Sequence, residues 1–163
     1  MDAVDQAILR RLQRDGRQTN RELADAVGIA PSTALERTRA LRSRGVITGF
    51  HAAVDLERLD RGVQALISIR IRPQSREAIE SARDSMAAMP ESVGVFVVTG
   101  NEDLFVHVAV PSTAYLRDFV LDRVARRKEF VDVRTLVVFD YVQPVEQSEL
   151  PATERRENRT SYT

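Results

Sequence analysis

The chain has no cysteine, and its 24 basic side chains include a single lysine, Lys128. Without cysteine there is no disulfide framework, no thiolate metal site and no cysteine nucleophile. Histidine is also scarce: His51 and His107 lie far apart in sequence, and a metal site wants more ligands of spaced N, S or O type. No metal is expected. No apolar run approaches the roughly 18 to 20 residues of a membrane helix, so no membrane partner is expected. The opening Met1-Asp2-Ala3-Val4-Asp5 is acidic and lacks the basic-then-apolar form of a signal peptide, which makes the expectation a cytoplasmic protein. The preference for arginine over lysine runs through both halves and is read as codon composition rather than function.

What the chain does have is a complete helix-turn-helix over 19–45. Thr19 followed by Glu22 is a capping box that starts a short helix. Gly28 suits the left-handed stop after that helix, Pro31 suits the first turn of the next one, and Gly45 ends it. Two helices joined by a short glycine turn place the second in the major groove of DNA. At about 100° per residue, Ala34, Leu35, Thr38 and Leu41 gather on an inward side of this second helix. Ser32, Thr33, Glu36, Arg37, Ala40 and Arg44 gather on the outer side. Arginine grips guanine edges, glutamate accepts from cytosine, and threonine touches the thymine methyl. Ser32, Thr33, Glu36 and Arg37 are therefore expected at base edges, with Arg21, Arg39, Arg42 and Arg44 on phosphates.

The formal net charge of zero hides an asymmetry. Residues 1–62 hold 11 basic and 9 acidic side chains, whereas 63–163 hold 13 and 15. Within 31–47 four arginines face a single glutamate, so the positive charge is local to the reading helix. One copy should bind DNA weakly, and several heads presented together would supply the affinity.

A first helix over 3–14, carrying Val4, Ile8, Leu9 and Leu12, completes a three-helix head. Residues 46–55 read as extended, a small wing or hinge strand. After a boundary at 60–62 come a strand at 63–72, a helix at 75–89, strands at 93–99 and 104–110, a helix at 113–127 and a strand at 131–142. This order is the ferredoxin-like split βαββαβ unit. The expected organisation is α+β: a winged helix-turn-helix domain over 1–49, a hinge over 50–62, a ferredoxin-like domain over 63–143 and a flexible tail over 144–163. Runs such as Val93–Val98 and Leu136–Phe139 do not alternate apolar with polar, so both sheet faces need cover. The chain supplies helices for one face only, and a second copy is expected on the other.

These motifs together resemble the Lrp/AsnC (feast/famine) family of bacterial and archaeal regulators. The likeness runs from about Val4 to Val142. It rests on Asp5, Ile8-Leu9, Leu12, Arg17, Leu23-Ala24, Val27-Gly28, Pro31, Arg37, Leu41, Gly45-Val46-Ile47 and Gly49-Phe50. Further along it rests on Val98-Thr99-Gly100-Asn101-Glu102-Asp103 and Arg134-Thr135-Leu136-Val137-Val138. The resemblance implies a DNA-binding regulator that forms dimers and then octamers or other assemblies, tuned by an amino acid bound between dimers. It implies an effector site at Thr99, Gly100, Asn101 and Asp103, completed by Thr135 of a neighbouring subunit. A glycine-opened turn exposes N–H groups for a carboxylate, and Asp103 would pair with an ammonium. No cofactor beyond that effector is expected, and the localisation would be cytoplasmic and nucleoid-associated. Ala30 departs from the family, which often has serine there to cap the reading helix.

Two other readings stay open on residues alone. One is a ferredoxin-like dimeric enzyme or small-molecule-binding module with a vestigial head, for which His107 with Asp103 is the pair worth testing. No nucleophile with a nearby base and no phosphate-cradling glycine loop supports it, so the expectation is not an enzyme, with no catalytic residue. The other is an architectural DNA organiser without an effector.

Overall fold

The computed structural model describes residues 1–150. It forms two compact units, one of residues 1–53 together with 142–150, the other of residues 54–141.

In the first unit α1 spans Ala3–Arg14, α2 Asn20–Val27 and α3 Pro31–Ser43. Asp2 caps α1 by accepting the Asp5 N–H. Thr19 and Glu22 close the capping box of α2, and Gly28 stops that helix at φ +72°. Pro31 opens α3, and Ile8, Leu12, Leu23, Ala24, Ala34 and Leu41 form the core. Leu35, expected inward, is only half-buried and lies outside that cluster. No strand forms over 46–55 among the described residues. An extended segment becomes a strand only where a second strand meets its N–H and C=O groups. The described part of the expected tail lies along α1. The Gln13 side-chain amide pairs with both backbone groups of Gln147, donating to its C=O at 2.9 Å and accepting its N–H at 2.6 Å. Arg14 ion-pairs with Glu146. The remainder of that expected tail, 151–163, lies outside the described residues.

The second unit has β1 Val63–Ile71, α4 Arg76–Ala87, β2 Ser92–Val97, β3 Leu104–Val110, α5 Thr113–Phe119 and β4 Phe130–Val138. Its sheet is antiparallel throughout, in the order β2-β3-β1-β4. That order is the ferredoxin-like arrangement, and the chain as a whole is α+β. The single helix expected over 113–127 ends as an α-helix at Phe119 and continues as one π-helical turn, Val120–Val124. The last strand stops at Val138, short of the expected 142. Ala65, Ile67, Ile69 and Ile71 alternate with Leu66, Ser68 and Arg70 along β1. The first set packs with Leu104, Val106, Val108 and Val110 against Ala82 and Met86 of α4, and with Leu116, Phe119 and Val124. The opposite face carries Leu66, paired across the sheet with His107 and Leu136, and Phe96 paired with Phe105. Phe96 and Leu136 are 55% and 53% exposed, and no helix of this unit covers them.

Candidate functional site

The first candidate surface is α3. Gly28 in its left-handed turn and Pro31 at the first helical position set the exit of α2 and the entry of α3. Ser32, Glu36, Arg39, Arg42 and Arg44 are exposed, as is Arg21 on α2, and Thr33 is half-buried. No side chain caps α3, since Ala30 has no acceptor and Ser32 does not take its place. Thr38 points inward with its hydroxyl buried and without a partner among the described residues.

Arg37, expected at base edges, is tied to the start of α1. Its Nη1 donates to Asp2 Oδ2 at 2.5 Å and to Asp5 Oδ1 at 2.8 Å, and its side chain is 33% exposed. Arg44 reaches the same carboxylate, Nη2 to Asp5 Oδ2 at 3.3 Å. The charge-assisted hydrogen bonds of Arg37 use Nη1 alone, so its Nε and Nη2 stay uncommitted among the described residues. The Asp5 N–H first, and then Arg37, holds the Asp2 carboxyl below its ordinary range, and the two aspartates hold Arg37 firmly protonated.

The second candidate is the turn between β2 and β3. Gly100 sits at φ +120°, a conformation that side chains with a Cβ rarely adopt. Thr99, Gly100 and Asn101 are exposed. Asp103 is not. It is 3% exposed, its Oδ2 accepts the Ile71 N–H at 2.7 Å, and its Oδ1 accepts Gln74 Nε2 at 2.6 Å. The fold thus uses the carboxylate that sequence reasoning assigned to a ligand's ammonium. At the neighbouring Glu102, Oε2 is buried with no hydrogen-bond partner among the described residues. Arg70 Nε donates to the Asn101 C=O at 2.8 Å, and Arg134 Nη1 lies 3.7 Å from Glu102 Oε1. Thr135, exposed on β4, is the next residue after Arg134. Arg70, Glu102 and Arg134 went unassigned in the sequence, although Arg134 and Glu102 stand inside the two runs that carried the resemblance.

His107 and Asp103 share no hydrogen bond. His107 Nε2 donates to Gln64 Oε1 at 2.9 Å, and its ring meets Tyr141 edge-on at 5.3 Å. Among the described residues no group of three or more His, Cys, Asp or Glu could hold a metal ion, and no helix is long and apolar enough to cross a membrane.

Comparison with known proteins places this architecture. Residues 1–48 match the winged helix-turn-helix DNA-binding family model, and residues 64–147 match the Lrp/AsnC ligand binding domain. The chain belongs to the Lrp/AsnC family. Members are DNA-binding transcriptional regulators rather than enzymes. The regulator AldR of Mycolicibacterium smegmatis is 34% identical over 143 residues, covering 88% of this chain and 84% of that protein. A Neisseria meningitidis transcriptional regulator solved in complex with L-Met is 28% identical, with a TM-score of 0.79, covering 95% of this chain and 99% of that one. Escherichia coli AsnC is 25% identical, with a TM-score of 0.78 over 93% of this chain and 99% of the other.

Proposed function

We propose that this Lrp/AsnC protein is a sequence-specific regulator whose DNA binding responds to a free amino acid at the turn after β2. The observation that carries the reading is the pairing of opposite charges at that turn. Glu102 holds a buried carboxylate oxygen without a hydrogen-bond partner among the described residues, and Arg70 and Arg134 bring guanidiniums to the same few residues. A zwitterion needs both signs, an acceptor for its ammonium and donors for its carboxylate. The N–H groups of a glycine-opened turn add to the donors. Thr99, Gly100 and Asn101 contribute the exposed backbone, Asp103 holds the turn in shape, and Thr135 of a neighbouring subunit completes the site. The Neisseria relative solved with L-Met makes that amino acid the first ligand to try.

On DNA, Ser32, Thr33 and Glu36 meet base edges, and Arg21, Arg39 and Arg42 meet phosphates. Arg37 and Arg44, anchored to α1, are placed on the phosphate backbone. The protein acts as dimers joined through the open sheet face and as assemblies of dimers, in the cytoplasm on the nucleoid, and takes no cofactor.

The test is calorimetric titration of L-Met, then of each other standard L-amino acid, into the wild-type chain and into Glu102→Gln and Arg134→Ala. A saturable heat that both substitutions weaken by about tenfold or more, with a matching shift in DNA affinity, is the expected result. Full binding by both variants would remove the turn as the site.

A further inference from the structure

We infer that Asp5 of α1 is a positioning residue for DNA binding: one buried carboxylate fixes the forks of Arg37 and Arg44 on α3 so that their remaining N–H groups face a phosphate backbone. The inference rests on α3 being the DNA-contacting helix. Arg37 lies within α3 and Arg44 is its C-cap, seven residues on, about 10.5 Å further along the helix axis. Asp5 is 8% exposed and uses both oxygens, Oδ1 for Arg37 and Oδ2 for Arg44. The two guanidinium side chains stay 33% and 51% exposed. The anionic end is therefore fixed by burial while the cationic ends stand at the surface. Arg37 commits Nη1 alone, and its Nε and Nη2 make no hydrogen bond among the described residues. Arg44 commits Nη2 to Asp5 and Nε to the Ala40 C=O. Arg37, held by one nitrogen, keeps a planar edge for a second oxyanion, Arg44 keeps its Nη1 group, and fixing both beforehand removes the entropy of ordering a long side chain on contact.

Asp2 has the opposite part. Its Oδ1 caps α1, and its Oδ2 takes Arg37 from the solvent side, with the Asp2 side chain 51% exposed. That oxygen stands where a phosphate oxygen would stand, and DNA displaces it.

The two aspartates thus separate by sign. Neutralising either one makes the head more positive by one charge, which on electrostatics alone strengthens DNA binding. The full-length chain is compared with Asp5→Asn and Asp2→Asn on short duplexes that the wild-type protein enriches from a random pool, across a KCl series. Asp5→Asn is expected to bind about tenfold more weakly despite its added charge, with a salt slope shallower by about 1 to 2, the loss of one or two phosphate contacts. Asp2→Asn is expected to bind more tightly. Asp5→Asn binding as tightly as wild type or tighter, with an unchanged slope, would overturn the assignment.

If Asp5→Asn loses its helical signal, the arginine side-chain NMR spectrum of the wild-type chain decides instead. Separate, slowly exchanging Nη signals for Arg37 and Arg44 support anchoring, and averaged signals refute it. The double variant Arg37→Ala, Arg44→Ala distinguishes this failure from that of the reading beneath it. Wild-type DNA binding by the double variant would remove the α3 arginines from the interface altogether. Loss in the double variant, with binding kept in Asp5→Asn, would sink only the role of Asp5.

Discussion

The Asp103 carboxylate accepts the backbone N–H of Ile71 at 2.7 Å, joining the turn after β2 to the last residue of β1. The Asp103 N–H donates in turn to the Ile69 C=O at 3.0 Å, so one residue is bonded twice to the same strand end. Gln74 adds a third bond from the loop before α4. Asp103→Ala leaves the Ile71 N–H without this acceptor and is expected to destabilise the second unit by about 2 kcal/mol. Urea unfolding checks this, and a midpoint unchanged from wild type would show the bond to be dispensable.

Ala30 holds an N-cap backbone, φ −73° and ψ 147°, without an acceptor to complete it. At the start of α2 the Thr19 hydroxyl accepts the Glu22 N–H at 3.2 Å, which shows what a completed cap in this head looks like. Ala30→Ser is expected to stabilise the first unit by about 1 kcal/mol, and Thr19→Ala to cost a similar amount. Opposite shifts of the two variants in the denaturation of the helical signal are the predicted pattern. Identical midpoints would mean that the ends of α2 and α3 do not limit stability.

These caps were legible because each is written within four residues: Thr19 with Glu22, Gly28, and Pro31 after Ala30. The strands were legible in the same way, from alternation along β1 and from Pro73 beyond it. Contacts between distant residues were not. On the wheel of α3 alone, Arg37 and Arg44 lie about 60° and 80° from Ala34, on the flank of the buried stripe. Only the approach of α1, more than thirty residues earlier, gives them partners. The seat of Gln147 on Gln13 joins polar groups to backbone and leaves no trace in hydropathy. Glu102 and Arg134 sit in a turn and in a strand whose meeting depends on the whole sheet, so their charges became a site only in three dimensions.

Leu136 lies opposite Leu66 on the sheet face that α4 and α5 leave open, and it remains 53% exposed. With Phe96 it gives that face an apolar surface suited to a second copy. The wild-type chain is expected to sediment as a dimer or larger. Leu136→Asp would bury a charge in that interface and should shift the protein to monomer, with a fall in DNA affinity because paired heads are lost. A Leu136→Asp protein that sediments like wild type would place the interface elsewhere.

His107 shares that face, 6% exposed, and burial pushes its imidazole below the ordinary value of 6.5. The folded chain therefore takes up a proton at this ring less readily than the unfolded chain does. As pH falls through 6.5 the unfolded state gains its proton first, so stability declines until the folded ring also titrates. The decline from one such proton cannot exceed about 1.4 kcal/mol per pH unit. His107→Gln keeps a polar group near Gln64 and removes the titration, so its stability should depend less on pH than wild type between about 7.5 and about 5.5. Chemical denaturation across that range measures the difference. Equal slopes for the two proteins would mean that the ring stays uncharged, or becomes charged, without regard to folding.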